Sequence, residues 1–205
     1  MPDHYYTQTP TSAHKPWQVD FLWRGAKLVF ETDSGVFSRT EIDKGTEILL
    51  NALPEELSGS LLDMGCGYGV IGVTLGRRYP GLSVVMSDVN ERAVELSRRN
   101  AQRNGVPARV MQSDGYADVP FQRMDWIVQN PPIRAGKSVI YAMFAEGARR
   151  LEPSGELWLV IRKQQGAESA VRYLKTLFGR VEAVSKKGGF WVLRCTQPAE
   201  RPDEE

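Results

Sequence analysis

An asparagine followed by two prolines, Asn130, Pro131 and Pro132, is the clearest candidate for chemistry in the sequence. The apolar run at 126–128 before them is typical of a buried strand, which must end here because proline donates no backbone hydrogen bond. A rigid turn therefore presents Asn130 at the carboxyl end of a strand, where open α/β sheets bind ligands. The Asn130 side-chain oxygen and the Pro131 carbonyl oxygen are acceptors that could hold the N–H groups of an amine. The alternative is an ordinary strand-ending turn.

A glycine-rich loop after an earlier apolar run is the second candidate. Gly65, Gly67 and Gly69 alternate along it, so a ligand can approach the backbone and the free N–H groups of the next helix. The loop also contains the dinucleotide pattern G-x-G-x-x-G, which would indicate a nicotinamide enzyme. Asp63, two residues before the glycines, would repel a pyrophosphate but suits the cationic ammonium and sulfonium of S-adenosylmethionine. We therefore predict S-adenosylmethionine as the cofactor.

Two further acids follow the next apolar runs. Asp88 can accept both ribose hydroxyls of a nucleoside through its two carboxylate oxygens. Asp114 is placed to reach the adenine edge, although Asp114 with Gly115 is also an ordinary turn pair. Cys66 completes the loop residues predicted to contact the cofactor.

A parallel sheet would bring all these residues to one edge, and the pattern of the chain predicts such a sheet. Strands alternating with helices indicate a doubly wound, mostly parallel, seven-stranded Rossmann-like α/β fold. The predicted strands span 60–64, 82–87, 108–112, 125–129, 156–161, 180–185 and 190–196. The predicted helices span 43–53, 70–79, 91–104, 141–151 and 167–178. A Gly-Gly turn makes the last strand antiparallel, and an N-terminal extension contributes a β-hairpin, 20–23 with 26–31, and a short strand at 36–38.

Composition indicates one globular domain. The 205 residues are 41% hydrophobic and 25% charged, and no apolar run reaches the roughly 18–20 residues of a membrane helix. We predict an irregular lead-in at 1–16, a single domain at 17–197 and an acidic disordered tail at 198–205. Two cysteines without CxxC spacing predict neither a disulfide framework nor a metal site. With no secretory signal in view, we expect a cytoplasmic protein without a membrane partner.

Charge is unevenly distributed along the chain. Residues 134–194 contain 12 Lys and Arg against 5 Asp and Glu, whereas residues 40–65 contain 1 Lys against 6 acids. Such asymmetry is typical of a polyanion-binding face, with ordinary solvated helix faces as the alternative. Arg134 and Lys137, beside the Asn-Pro-Pro turn, are the candidates for phosphate contacts.

With these residues in place, the sequence resembles the class I S-adenosylmethionine-dependent methyltransferases, and among them the RsmC-type family that methylates an exocyclic amine of guanine in 16S ribosomal RNA. The resemblance covers residues 17–196 and rests on Asp63-x-Gly65-x-Gly67-x-Gly69, Asp88, Asp114, Asn130-Pro131-Pro132-Ile133, Gly35-Val36-Phe37-Ser38 and Asp43-x-Gly45. It implies a methyltransferase domain, cofactor contacts that also include Phe37, Val89 and Asn130, and a catalytic group made of Asn130, Pro131, Pro132 and Ile133.

Two differences from the family bear on the substrate. Many amino methyltransferases have an aromatic residue after Asn-Pro-Pro that stacks on the target, whereas this chain has Ile133. Longer RsmC enzymes have a second, degenerate methyltransferase half, for which 205 residues leave no room. Substrate recognition could then come from a homodimer partner or from the basic C-terminal half.

The predicted function is therefore N-methylation of guanine in ribosomal RNA of the 16S type, either free or in a small-subunit particle. Protein-glutamine or DNA-adenine methylation would use the same Asn-Pro-Pro chemistry. A protein that binds S-adenosylmethionine and RNA without catalysis is the third alternative.

Overall fold

The computed structural model describes residue 9 and the ranges 12–120 and 122–199. Its strands are β1 Trp17–Trp23, β2 Ala26–Thr32, β3 Ser60–Met64, β4 Ser83–Asp88, β5 Ala108–Gln112, β6 Met124–Gln129, β7 Leu151–Arg162, β8 Phe178–Lys187 and β9 Phe190–Pro198. Its helices are α1 Lys44–Ala52, α2 Val70–Arg78, α3 Glu91–Arg103, α4 Lys137–Arg149 and α5 Ala167–Leu174. Short 3-10 turns follow β6 and β7 at Ile133–Ala135 and Lys163–Gln165.

An open seven-stranded sheet in the order β5-β4-β3-β6-β7-β9-β8 forms the centre, and β1 and β2 form a separate hairpin. Neighbouring strands from β5 to β7 are parallel, whereas β9 is antiparallel to β7 and to β8. Helices cover both faces, as a parallel sheet requires. The predicted fold class, including its antiparallel C-terminal strand and N-terminal hairpin, is confirmed.

The direction of winding reverses between β3 and β6. From β3 the chain continues outward to β4 and β5, and it then returns to place β6 on the other side of β3. The loops that leave the carboxyl ends of β3 and β6 therefore diverge and open a crevice between them. Both sequence candidates, the glycine loop and Asn130, follow these two strands.

The core has two layers because successive strand residues point to opposite faces of the sheet. Leu61 and Val128 lie in the layer that the hairpin, α1, α2 and α3 cover. Leu62 and Ile127, their chain neighbours, lie in the layer that α4 and α5 cover.

Asparagine side chains at the C-terminal end of α3 form hydrogen bonds with the hairpin. The Asn100 Oδ1 atom accepts the Glu31 N–H at 2.7 Å, and its Nδ2 atom donates to the Glu31 carbonyl oxygen at 2.9 Å. Asn104 binds the backbone N–H and carbonyl of Val29 in the same way, at 3.0 and 2.9 Å. These bonds satisfy the free edge of β2, and they hold the following loop, residues 33–42, above the crevice.

The predicted strand at 36–38 is wrong. Residues 34–40 form turns and bends, with positive φ at Gly35 (77°) and Ser38 (55°), which an extended strand cannot contain. The loop instead bonds to α3, where the Arg92 guanidinium donates to the Ser34 carbonyl oxygen at 2.8 Å and Asn90 donates to that of Gly35 at 2.8 Å.

Element ends also differ from prediction in the C-terminal half. Helix α4 begins at Lys137, four residues before the predicted 141–151, and β7 already begins at Leu151. Residues 152–155, which lie between the predicted helix and the predicted strand 156–161, form an irregularity within β7, where the pairing shifts from Met124↔Leu151 to Trp126↔Glu156. Helix α5 ends at Leu174, because the N–H groups of Thr176 and Leu177 donate to the carbonyl oxygens of Tyr173 and Leu174, three residues earlier, before β8 begins.

The chain ends are described only in part. Strand β9 extends through Pro198, one residue into the predicted tail. Residues 200–205 of that tail, and residues 1–8, 10 and 11 of the predicted lead-in, lie outside the described residues. No helix in the described ranges is long and apolar enough to cross a membrane.

Candidate active site

A cavity of about 510 Å³ lies at the carboxyl ends of β3, β4 and β6, in the crevice where the winding reverses. Eleven of the predicted site residues line it: Phe37, Gly65, Cys66, Gly67, Asp88, Val89, Asp114, Gly115, Asn130, Pro131 and Pro132. They come from five separate chain segments, and the sheet brings them to one place.

Five predicted residues do not line the cavity. Gly69 precedes α2 with a φ of 91°, and a Cβ there would lie 3.1 Å from the Ser97 Oγ atom, so this glycine serves close packing. Ile133 is half-buried against the core layer under α4. Arg134 and Lys137 are exposed beyond the turn, on the rim of the site. Asp63 lies behind the cavity wall.

The Asp63 carboxyl group is fully buried beneath the glycine loop. Its Oδ2 atom accepts the Gly72 N–H at 2.8 Å, whereas Oδ1 has no hydrogen-bond partner among the described residues. Burial, reinforced by the nearby charge of Asp88, raises the Asp63 pKa to about 7, although the Gly72 N–H acts in the opposite direction. A cation on the cavity side of the loop would favour the ionised form.

Asp88 joins the glycine loop to the start of α3. Its two oxygens accept the backbone N–H groups of Gly67, at 2.8 Å, and of Asn90, at 2.9 Å. Burial raises the Asp88 pKa, and these N–H groups oppose the shift. An ionised carboxylate can accept about four hydrogen bonds, so Asp88 retains capacity for hydroxyl groups in the cavity.

The Asn130 side chain has a defined orientation. Its Nδ2 atom donates to the Asp43 Oδ2 atom at 3.0 Å and to the Thr46 Oγ1 atom at 3.1 Å. Its Oδ1 atom accepts no hydrogen bond from the described residues and is not among the buried polar atoms without partners. Since Asn130 lines the cavity, this oxygen is open to a ligand there.

Asp43 and Thr46 are functional candidates that the sequence did not assign. In the sequence, Asp43 is the first residue of the predicted helix 43–53 and part of the motif Asp43-x-Gly45. In the structure it caps α1, because Oδ2 also accepts the Thr46 N–H at 2.9 Å. The same oxygen thus begins a helix and orients Asn130. Other unassigned residues that line the cavity are Val36, Ser38, Met64, Tyr68, Val70, Ile71, Ala93, Ser113, Ala135, Val139 and Met143.

Two exposed apolar side chains line the cavity, although position 133 is isoleucine and not the aromatic residue of many amino methyltransferases. Phe37 is 41% exposed and Val139 is 43% exposed, and both line the cavity. They could contact a planar ligand by apolar burial. No sequence signal marked Val139, because the helix that contains it was predicted to begin later.

The cavity suits a cationic nucleoside cofactor. Gly65 and Gly67 have φ values of 72° and 57°, and a Cβ on either would meet no atom within 4 Å, so the loop presents bare backbone. Asp88 lines the cavity, and the Asp63 oxygen that has no partner among the described residues lies behind the wall, where a bound cation would favour the ionised carboxylate. The Cys66 thiol is buried with a raised pKa and is not a thiolate nucleophile.

Comparison with known proteins then decides the family. The family model described as "Methyltransferase small domain" matches residues 27–194. The chain belongs to the methyltransferase small domain family. This membership confirms the predicted methyltransferase family and removes the nicotinamide-enzyme alternative.

The chain is similar to relatives of two different lengths. The Bacillus subtilis protein called "Uncharacterized protein YbxB" is 44% identical over 198 residues, covering 95% of this chain and 98% of that protein. The "Ribosomal RNA small subunit methyltransferase C" of Hahella chejuensis is 42% identical over 170 residues, covering 77% of this chain and 49% of that protein. The chain thus spans about half the length of the methyltransferase C relatives that it matches.

A solved structure shows the same similarity. The T. thermophilus 16S rRNA N2 G1207 methyltransferase (RsmC), in complex with AdoMet and guanosine, superimposes with a TM-score of 0.80 at 28% identity. The match covers 92% of this chain and 52% of that one. The RsmC-like character and the S-adenosylmethionine cofactor predicted from sequence are thereby confirmed, whereas the role of each site residue stays a prediction.

Proposed function

We propose that this protein is an S-adenosylmethionine-dependent N-methyltransferase that acts on the exocyclic amine of guanine in small-subunit ribosomal RNA. The observation that carries the proposal is the orientation of Asn130. The Asp43 Oδ2 atom accepts the Thr46 N–H and the Asn130 Nδ2–H, so the amide turns its nitrogen toward Asp43 and its oxygen toward the cavity. The similarity to RsmC proteins named as 16S rRNA N2 and small-subunit methyltransferases supports the substrate class.

Asn130 and Pro131 each have an oxygen that can accept a hydrogen bond from the exocyclic amine of a base. The lone pair of an exocyclic amine is delocalised into the ring, so the amine is a weak nucleophile. The Asn130 Oδ1 atom and the Pro131 carbonyl oxygen, which accepts no hydrogen bond from the described residues, can each accept one of its N–H groups. They orient the nitrogen and stabilise the positive charge that develops on it. When bound, S-adenosylmethionine supplies an activated methyl group on a positively charged sulfur.

No general base is required at this site. As the amine gains a methyl group its N–H becomes acidic, and the proton passes to water through the open cavity. The described residues that line the cavity include no histidine or lysine, which agrees with chemistry that depends on acceptors already in position.

The test is transfer of tritium from methyl-labelled S-adenosylmethionine to ribosomal RNA, small-subunit particles, DNA or protein, followed by nucleoside analysis. We expect label in N2-methylguanosine from the wild type. Asn130→Ala should lower the transfer rate by roughly 100-fold or more, with the Kd for S-adenosylmethionine within a few-fold of the wild type. Label in adenine or glutamine, or equal turnover by Asn130→Ala, would overturn the proposal.

A further inference from the structure

The C-terminal half of the chain contains several cations that form no ion pair among the described residues. Of the 12 Lys and Arg in residues 134–194, four form ion pairs with glutamates: Arg149, Arg150, Arg180 and Arg194. The other eight form none among the described residues: Arg134, Lys137, Arg162, Lys163, Arg172, Lys175, Lys186 and Lys187. Most of the eight follow β6 and β7 or adjoin the β8–β9 turn.

Three of these residues line a cleft of about 610 Å³, which we call the basic cleft. Its walls are the end of β7, the start of α5 and the tight turn between β8 and β9, and it is lined by Arg162, Lys163, Gln164, Gly166, Glu168, Ser169, Arg172, Gly188 and Gly189. Every one of these residues is polar or a glycine, and Glu168 is the single acid among them. The Lys163 N–H donates to the Gly189 carbonyl oxygen at 2.8 Å and joins two of the walls.

The topology puts the basic cleft on the same side of the sheet as the active site. Strand β7 is parallel to β6, so Arg162 ends its strand at the edge where Asn130 follows β6. Strand β9 is antiparallel to β7, with Phe190 opposite Arg162, so the Gly188–Gly189 turn reaches this edge too.

A chain of contacts joins the cleft to Asn130. The Arg162 guanidinium carbon lies 4.5 Å from the centre of the Phe190 ring. That ring packs against Gly45, where an added Cβ would be 2.8 Å from the Phe190 Cε1 atom and 2.9 Å from the Asp43 Oδ2 atom. The latter oxygen holds Asn130 at 3.0 Å. The basic cleft is therefore connected to Asn130 through Phe190 and the start of α1.

A second contact joins the cleft to the rim of the site. The Ser169 and Tyr141 hydroxyl groups are 2.6 Å apart, and Tyr141 is one helical turn after Lys137 on α4, on the same helix face. Lys137 occupies the first turn of α4, where the helix dipole disfavours a cation. Lys137 on the rim is thus connected to the cleft through α4 and Ser169.

We propose that the basic cleft binds backbone phosphates of the RNA strand that flanks the target nucleotide. The proposal rests on the proposed function. A lining without apolar side chains has no pocket for peptide side chains, but Arg and Lys with amide and hydroxyl donors match phosphate and sugar oxygens. Glycines in two walls let a nucleic-acid backbone approach the protein closely. Through this surface, a chain with one methyltransferase domain would bind RNA.

The test compares two double variants that remove equal charge. Lys163→Gln with Arg172→Gln alters the basic cleft, whereas Arg77→Gln with Arg109→Gln alters exposed cations at the end of α2 and the start of β5, on the opposite edge of the sheet. The Kd of a fluorescent RNA stem-loop with guanines in its loop is measured between low and physiological salt. Binding by the wild type should weaken steeply with salt, because phosphate contacts release counterions.

We expect the cleft variant to bind RNA more weakly and to lose about 1.4 from the slope of log K against log salt, equivalent to two single-strand phosphate contacts. The KM for RNA should rise, and the Kd for S-adenosylmethionine and the thermal unfolding temperature should stay at wild-type values. The opposite-edge variant should retain the slope of the wild type.

The two proposals fail in different ways. If the wild type methylates RNA but the cleft variant keeps its slope and KM, the basic cleft is not the RNA site and the proposed function stands. Polyglutamate that competes as well as RNA of equal charge would also overturn the cleft proposal. If the wild type labels protein or DNA and not RNA, the proposed function fails first.

Discussion

A single oxygen, Oδ2 of Asp43, decides how Asn130 presents itself to a ligand. Turning the amide over would bring the Asn130 oxygen against the Asp43 carboxylate, and two acceptors repel each other. Thr46 adds a second acceptor for the same nitrogen. The amide is thereby prepared before any substrate binds, which is the condition for an electrostatic contribution to rate.

Replacing Thr46 tests whether fixing the orientation of the Asn130 amide contributes to the reaction rate. Thr46→Val keeps the shape of a nearly buried side chain but removes the Oγ1 acceptor at 3.1 Å from Asn130. Loss of one hydrogen bond is worth roughly 0.5–1.5 kcal/mol, so kcat should fall roughly two- to tenfold. The Kd for S-adenosylmethionine, measured by calorimetry, should change little.

The same substitution elsewhere is the control. Thr74 on α2 is fully buried, and its hydroxyl has no partner among the described residues. Thr74→Val should therefore leave kcat unchanged and keep or raise the unfolding temperature. A Thr46→Val enzyme with wild-type kcat would show that Asp43 alone is sufficient.

Asp63 should make cofactor binding and stability depend on pH. With its pKa raised from 3.8 to about 7, the folded protein retains a proton on Asp63 that the unfolded chain has lost. Stability without cofactor should therefore fall as the pH rises from about 4 to 7, and this contribution should level off above 7. A cationic cofactor favours the ionised carboxylate, so its Kd should be lower at pH 8 than at pH 6.

Asp63→Asn isolates this effect from other titrating groups. The amide can still accept the Gly72 N–H, but it cannot ionise. Asp88, whose pKa is also raised, faces Asp63 and titrates in both proteins. Calorimetry at the two pH values should show a smaller change in Kd for the variant. The same pH dependence in both proteins would contradict a role for Asp63 charge.

At the scale of elements, helix α1 and the loop before it form part of the site. The helix packs beside β7 and β9, its capping residue orients Asn130, and the preceding loop contributes Val36, Phe37 and Ser38 to the cavity. An N-terminal extension that pattern alone treats as an addition to the sheet thus contributes one wall of the active site.

Gly45 on α1 is expected to be intolerant of a side chain. Alanine is normally better than glycine in a helix by roughly 0.5–1 kcal/mol. Here its Cβ would lie 2.8 Å from Phe190 and 2.9 Å from the Asp43 Oδ2 atom, so one of them must move. Gly45→Ala should therefore lower both the unfolding temperature and kcat.

Gly81 is the matched control. A Cβ at this turn position meets no atom within 4 Å, and its φ is not in the left-handed region. Gly81→Ala should be neutral in thermal unfolding and in turnover. If Gly45→Ala were equally neutral, the contact between α1, Phe190 and Asp43 would have no part in catalysis.

At the scale of the whole molecule, two regions of different charge lie side by side along the carboxyl edge of the sheet. The strands β3, β4 and β6 surround a cavity with acidic groups, suited to a cationic cofactor. The strands β7, β8 and β9 support cations that form no ion pair within the described ranges, suited to a polyanion. Asn130 stands where these regions meet, at the point where the winding of the sheet reverses.

The sequence by itself determined the fold class, the cofactor and most of the predicted residues that line the cavity. Apolar periodicity specifies strands and helices, and parallel strands necessarily place their carboxyl ends at one edge. The glycine loop, Asp88 and Asn130 follow such strands directly, so local pattern was enough to find them. Local pattern wrongly predicted a strand at 36–38, because the backbone conformation of this loop depends on hydrogen bonds to the start of α3.

Only the tertiary structure decided how the Asn130 side chain is oriented and which cations form ion pairs among the described residues. Asp43 is 87 positions before Asn130 in the chain, and no periodicity relates residues so far apart. Likewise, the count of Lys and Arg in the C-terminal half does not distinguish Arg194, which is paired with Glu156, from Arg162, which forms no ion pair with any residue that the structure describes. Hydrogen bonds and ion pairs depend on distances of a few ångströms, which the packing of distant segments sets.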